Sequence, residues 1–149
     1  MKPTSPGQEL ARGVCRLMRS YNFACLTEFT PSKGLRVDVI ALGPKSEIWV
    51  IECKSSREDF QSDTKWQGYL EWADRYFWAV GPDFPVELLP DDNGLIIADS
   101  YGAEIIRTPE PARLAAARRK KLLLKFARNA AERYQMLVDP NGVRNIGLA

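Results

Sequence analysis

Residues 48–54 read Ile-Trp-Val-Ile-Glu-Cys-Lys. Four apolar residues in series run into a glutamate and a lysine two positions apart. An unbroken run of β-branched and aromatic residues predicts a strand buried on both faces. Side chains alternate along a strand, so Ile48, Val50, Glu52 and Lys54 share one face. The charged end therefore continues the same surface as the apolar start, and the fold turns on what lies opposite it.

The preceding segment supplies the neighbour. Residues 35–42 form a second predicted strand, joined to the first by Gly43-Pro44-Lys45-Ser46-Glu47. A connection this short predicts an antiparallel hairpin. Centred near Lys45, it sets Leu42 against Ile48, Ile40 against Val50 and Asp38 against Glu52. Directly opposed Cβ atoms lie about 4.5–5.5 Å apart. The two carboxylates converge, with Lys54 one step further along.

Two carboxylates at that separation on an apolar sheet repel each other, and burial disfavours both charges. A hard divalent cation, Mg2+ or Mn2+, removes both costs. Such an ion polarises a phosphate oxygen and acidifies a bound water. Lys54 can then position or activate that water, or neutralise charge developing on the phosphate. Asp38, Glu52 and Lys54 thus read as a catalytic, metal-binding set for phosphodiester hydrolysis. The competing reading is a neutral surface cluster of ion pairs among Arg36, Asp38, Glu52 and Lys54.

Outward from this hairpin, Ser5-Pro6 with Gln8 marks a helix start, and Leu10, Val14, Leu17, Met18 and Tyr21 extend it over about 7–20. Residues 23–29 read as a strand ended by Thr30-Pro31, with a turn at Ser32-Lys33-Gly34. After the hairpin, Trp66, Tyr69, Leu70 and Ala73 fall at i, i+3, i+4 and i+7, an apolar helix stripe capped by Asp63. Residues 75–80 form an aromatic strand stopped by Gly81-Pro82, and 95–98 with 104–107 form a hairpin around Asp99-Ser100-Tyr101-Gly102. A long helix over about 111–137 has Leu123, Phe126, Ala127, Ala130, Tyr134 and Leu137 as its inner stripe. Ser55, Ser56, Asp59 and Asp63 read as caps, and Trp66 and Trp72 as core.

With 149 residues, 45% hydrophobic and 27% charged, the chain predicts one globular domain. No apolar stretch reaches the roughly 18–20 residues that cross a bilayer, and the N-terminus lacks a signal-peptide core, so the expectation is a cytoplasmic protein without membrane association. Cys15, Cys25 and Cys53 form no CxxC pair, against both a disulfide framework and a zinc ribbon. Histidine is absent, which excludes Ser-His-Asp and Cys-His catalysis. Net charge is +2, but Arg113–Arg133 carries eight Lys or Arg against one acid, Glu132. Arg118, Lys121, Lys125 and Arg128 make one basic stripe, suited to the backbone of a nucleic acid.

Asp38, thirteen intervening residues, and Glu52-Cys53-Lys54, set in an α-β-β-β-α-β order over roughly 7–100, resemble the PD-(D/E)xK nuclease superfamily. Val37 stands where that motif usually has proline. The resemblance implies a restriction-endonuclease-like α/β core (about 7–107) with a mixed central sheet, followed by the long helix. It implies that Asp38 and Glu52 bind the metal with the Cys53 main-chain carbonyl, and that Glu9 or Glu28 adds a ligand. Lys65-Trp66-Gln67-Gly68-Tyr69 is similar to a Gln-x-x-x-Tyr pattern of some members, with lysine in place of glutamine, so Lys65 and Tyr69 are expected at the nucleic acid. More narrowly, VIECKSSREDFQSDTKWQGYLEWADRYFWAV (50–80) resembles the MmcB-like DNA repair proteins of bacteria. The implied function is a Mg2+- or Mn2+-dependent DNA endonuclease in repair, partnered by DNA and by other repair proteins. The alternatives are a non-catalytic DNA-binding or adaptor subunit on the same fold, and an RNA-directed nuclease.

Overall fold

The computed structural model describes residues 3–142. The chain divides into two compact units, Met1–Leu114 and Ala115–Ala149. The first is a six-stranded mixed sheet with strands in chain order: β1 (Ala24–Ser32), β2 (Leu35–Leu42), β3 (Ile48–Lys54), β4 (Arg75–Val80), β5 (Gly94–Ala98) and β6 (Ala103–Arg107). β1, β2 and β3 pair antiparallel, β3, β4 and β5 run parallel, and β6 returns antiparallel to β5. This is the mixed α/β architecture expected, and Leu42↔Ile48 and Ile40↔Val50 stand in the expected register.

Helix α1 (Pro6–Ser20) begins with the predicted device. Ser5 Oγ accepts from Gln8 N at 3.2 Å, and Gln8 Oε1 accepts from Ser5 N at 2.9 Å. Leu10, Ala11, Val14 and Met18 of α1 pack on Val39, Ala41, Ile51, Cys53, Phe77, Ala79, Ile96 and Ala98, one face of the sheet. Each large side chain buried this way contributes about 1.5–3 kcal/mol. Gly13 is required where α1 crosses the β5–β6 turn: a Cβ there would lie 1.9 Å from Asp99 O and 2.5 Å from Gly102 O.

The opposite face carries Ile40, Val50, Glu52, Lys54, Tyr76 and Trp78, and aromatic rings cover it. Phe60 and Trp66 both meet Trp78 edge-on, with centroids 5.2 Å apart. These rings come from the β3–β4 crossover, which differs from expectation. In place of one helix there is a short α2 (Arg57–Gln61), capped by Ser56, and then a 3-10 helix, Trp66–Trp72. Three residues per turn bring Trp66, Tyr69 and Trp72 onto one side, and Leu70, assigned to the apolar stripe, is 38% exposed.

Two further boundaries moved. β1 continues through Thr30-Pro31 to Ser32, its register shifting after Phe29 and Glu28 taking φ 51. The last helix, α3, spans Ala116–Val138 and starts after Pro111 because the strap before it is tied down. Ala112 N donates to Asp74 O at 2.8 Å and Leu114 N to Asp74 Oδ1 at 2.9 Å. In α3 the buried residues are Leu122 and Phe126. Ala127, Tyr134 and Leu137 of the expected stripe are exposed, the last at 80%, since the buried positions run one residue earlier. Among the described residues no helix is long and apolar enough to cross a membrane.

Candidate metal centre

The β2–β3 ladder stops at Val39↔Ile51, and side chains take over one step beyond it. Asp38 N donates to Glu52 Oε1 at 2.8 Å, and Cys53 N donates to Asp38 Oδ2 at 2.8 Å. Each carboxylate is thereby held by the opposite strand's backbone. The two also share a hydrogen bond. Asp38 and Glu52 therefore meet, as the register predicted.

Burial sets the electrostatics. Glu52 is 4% exposed. Burial first, and then the charge of Asp38, push its carboxyl up to about 9. Asp38 also rises, chiefly through burial, against the Cys53 N–H and Lys54, which favour its charge. The metal-free pair thus keeps a proton between its oxygens.

Lys54 is 7% exposed, which removes the surface-cluster reading. Its ammonium pairs with Asp63 at 2.8 Å and with Asp59 at 3.9 Å, not with Asp38 or Glu52. Burial opposes that charge, yet the hydrogen bond and charge of Asp63 outweigh it and raise the lysine above its ordinary value. Asp63 is held below the usual carboxylate range: burial is overcome by Lys54 and by the N–H groups of Lys65 and Trp66.

These groups open into a cleft of about 510 Å³ lined by Asp38, Glu52, Cys53, Lys54, Lys65 and Tyr69, with Arg36 and Ser5 among its other walls. Six of the sequence-predicted residues are thus brought together. A second cleft of about 440 Å³ shares Asp38 and Arg36 and contains Glu28 and Arg12. Glu9 lines neither cleft; its carboxylate accepts from Thr4 Oγ1 at 3.3 Å on the exposed side of α1. Cys53 directs its side chain into the α1 core while its main chain borders the cleft. Arg118, Lys121, Lys125 and Arg128 lie on α3, where Arg128 pairs with Glu132 at 4.0 Å.

Sequence reasoning missed Asp63 and Asp59 as partners of Lys54, treating both as caps. The available signal was charge count: Lys54 is followed within nine residues by three acids, Glu58, Asp59 and Asp63, against one base, Arg57. It also missed Tyr76, whose buried hydroxyl has no hydrogen-bond partner. Burial first, and then Glu52 and Asp63, raise that phenol well above its ordinary value.

The donors suit a small hard cation. Two carboxylates that meet at a cleft present hard oxygen donors, and Mg2+ or Mn2+ commonly uses one or two carboxylates and keeps several waters. Among the described residues no group of three or more Asp, Glu, Cys or His side chains is arranged as a ready-made cage.

Comparisons agree with this architecture. A structure described as the SPO1766 protein of unknown function from Silicibacter pomeroyi is 61% identical, with TM-score 0.94, covering 97% of this chain and 99% of that one. No curated protein matches. The family model for DNA repair protein MmcB-like matches residues 4–141. By that match, which takes in the whole sheet, the cleft and α3, the chain belongs to the MmcB-like family of DNA repair proteins.

Proposed function

We propose that this DNA repair protein is a Mg2+- or Mn2+-dependent nuclease that hydrolyses phosphodiester bonds of DNA at the Asp38–Glu52 cleft. The observation that carries the reading is the meeting of the buried Glu52 and half-buried Asp38 carboxylates, each tied to the opposite strand's backbone, at the wall of a cleft. Asp38 and Glu52 hold the ion, with the Cys53 carbonyl as the main-chain ligand and Glu28, in the adjoining cleft, better placed than Glu9 for a further contact. When bound, the ion supplies a Lewis acid for a phosphate oxygen and a more acidic water. Lys54, kept charged by Asp63, faces the phosphate as it gains negative charge. Lys65 and Tyr69 line the approach of the strand, and the stripe Arg118, Lys121, Lys125 and Arg128 attracts the polyanion.

The test is cleavage of single-stranded, duplex and branched DNA with Mg2+ or Mn2+, beside Mn2+ calorimetry. Wild type is expected to cleave at least one substrate and to bind Mn2+, and Asp38→Ala to lose both. Equal Mn2+ binding by wild type and Asp38→Ala refutes the site. A second reading, a non-catalytic DNA-binding adaptor, draws on the lysine's close ion pair with Asp63. Absence of cleavage with every substrate, together with weakened DNA binding in Lys54→Ala, would select it.

A further inference from the structure

Lys54 stands on the same face of β3 as Glu52, one alternation away. An ammonium with a side chain 8% exposed, beside the buried Glu52 and half-buried Asp38 carboxylates, would by Coulomb attraction close onto them. It turns the other way, to Asp63 at 2.8 Å. We propose that Asp63 is the positioning residue that keeps the Lys54 ammonium off the Asp38–Glu52 pair and so leaves the pair available to a divalent cation. This rests on the metal-site reading above.

The arrangement around Asp63 is built for that task. Its Oδ1 accepts from Lys65 N at 2.9 Å, which fixes the carboxylate while Oδ2 takes the ammonium. Asp59 stands behind at 3.9 Å, anchored by Ser55 N at 3.1 Å and by Ser56 at the start of α2. Charge balance gives the consequence. With Lys54 paired to Asp63, the two carboxylates and one divalent ion balance each other without the ammonium. With Lys54 drawn into the pair, the incoming cation faces an ammonium already in its place.

Asp63→Asn tests this, since the amide oxygen retains the Lys65 N–H bond while the charge is lost. Mn2+ affinity is measured calorimetrically for wild type, Asp63→Asn, Lys54→Met and the double variant. Asp63→Asn is expected to weaken Mn2+ about tenfold, within the coupling usual for charged residues in contact. Lys54→Met in the same background should restore the affinity of Lys54→Met alone. Unchanged or tighter binding by Asp63→Asn overturns the proposal, as does weakening that persists in the double variant. A crystal structure of metal-free Asp63→Asn separates this from failure of the metal site itself. Lys54 Nζ moved into ion-pair reach of Glu52 or Asp38 supports the role of Asp63, and Lys54 Nζ left in place refutes it even if wild type binds no Mn2+.

Discussion

Strand β3 has a buried carboxylate at each end, and the two ends use it differently. At the Ile48 end Asp74 is satisfied by backbone: Oδ2 accepts from Ile48 N at 2.8 Å and Oδ1 from Leu114 N at 2.9 Å. Charge-assisted bonds of this kind stabilise a buried anion and, here, staple three distant segments. At the Lys54 end Asp38 and Glu52 each receive one backbone N–H and then face each other across a cleft. The same chemical group is a strut where its oxygens meet donors, and a candidate binding site where a second carboxylate takes a donor's place. Burial alone does not mark function; burial with an unbalanced charge does.

The widest separation of the two ends is kinetic. Lys54→Ala is expected to retain the fold and most DNA affinity while losing metal-dependent cleavage by about 10²–10³, the usual effect of removing one electrostatic group acting in the transition state. Single-turnover cleavage beside a binding isotherm checks it, and equal loss of binding and rate would break the comparison. Next is an isosteric change made at both ends. Asp74→Asn turns an amide N–H toward a backbone N–H and is expected to destabilise by about 2 kcal/mol. Glu52→Gln can keep its oxygen on Asp38 N and needs no proton taken up on folding, so the metal-free protein should gain stability near neutral pH. Denaturant melts in chelator that show the same sign for both variants would erase the distinction.

The pH dependence follows from the same pair. Glu52 in the folded, metal-free protein titrates at about 9, against an ordinary 4.5. Between those values the folded state holds a proton that the unfolded chain releases, so stability falls as pH rises through that window. Glu52→Gln should flatten the fall, and stability of the metal-free wild type rising from pH 6 to 9 would contradict the shared proton. The smallest effect concerns a polyanion's approach. Reversing the charges of Arg118, Lys121, Lys125 and Arg128 is expected to lower the log–log salt slope of duplex binding by about 0.9 for each lost phosphate contact. An unchanged slope would leave binding to the β3 cleft alone.

The β2–β3 hairpin was legible because a five-residue connection permits one register and alternation then decides every face. Asp38, Glu52 and Lys54 followed from it without any tertiary knowledge. The crossover after β3 was not legible: Trp66, Tyr69 and Trp72 fit a three-residue turn as well as Trp66, Tyr69 and Leu70 fit an α-helix, and packing on Trp78 chose between them. The start of α3 depended on Asp74, 40 residues from Leu114. Asp63 belongs to the same class. Its tie to Lys54 spans a loop whose path no periodicity encodes, so a local cap was the natural inference for a residue that is also an ion-pair partner.

The close passage at Gly13 bears on the order in which the protein is made. Strands β1 to β6 lie in the sheet in the order they leave the ribosome, so each new strand finds its neighbour already present. Helix α1, made before any strand, packs across the whole sheet, the last strands included: beside Val39, Ile51 and Phe77 it meets Ile96 and Ala98, and Arg16 donates to Tyr101 O across 85 residues. Contacts of such sequence separation form late. The seat of α1 is therefore completed only when the β5–β6 turn has been synthesised. A nascent chain halted before Asp99 should protect its α1 amides less than one halted after Arg107.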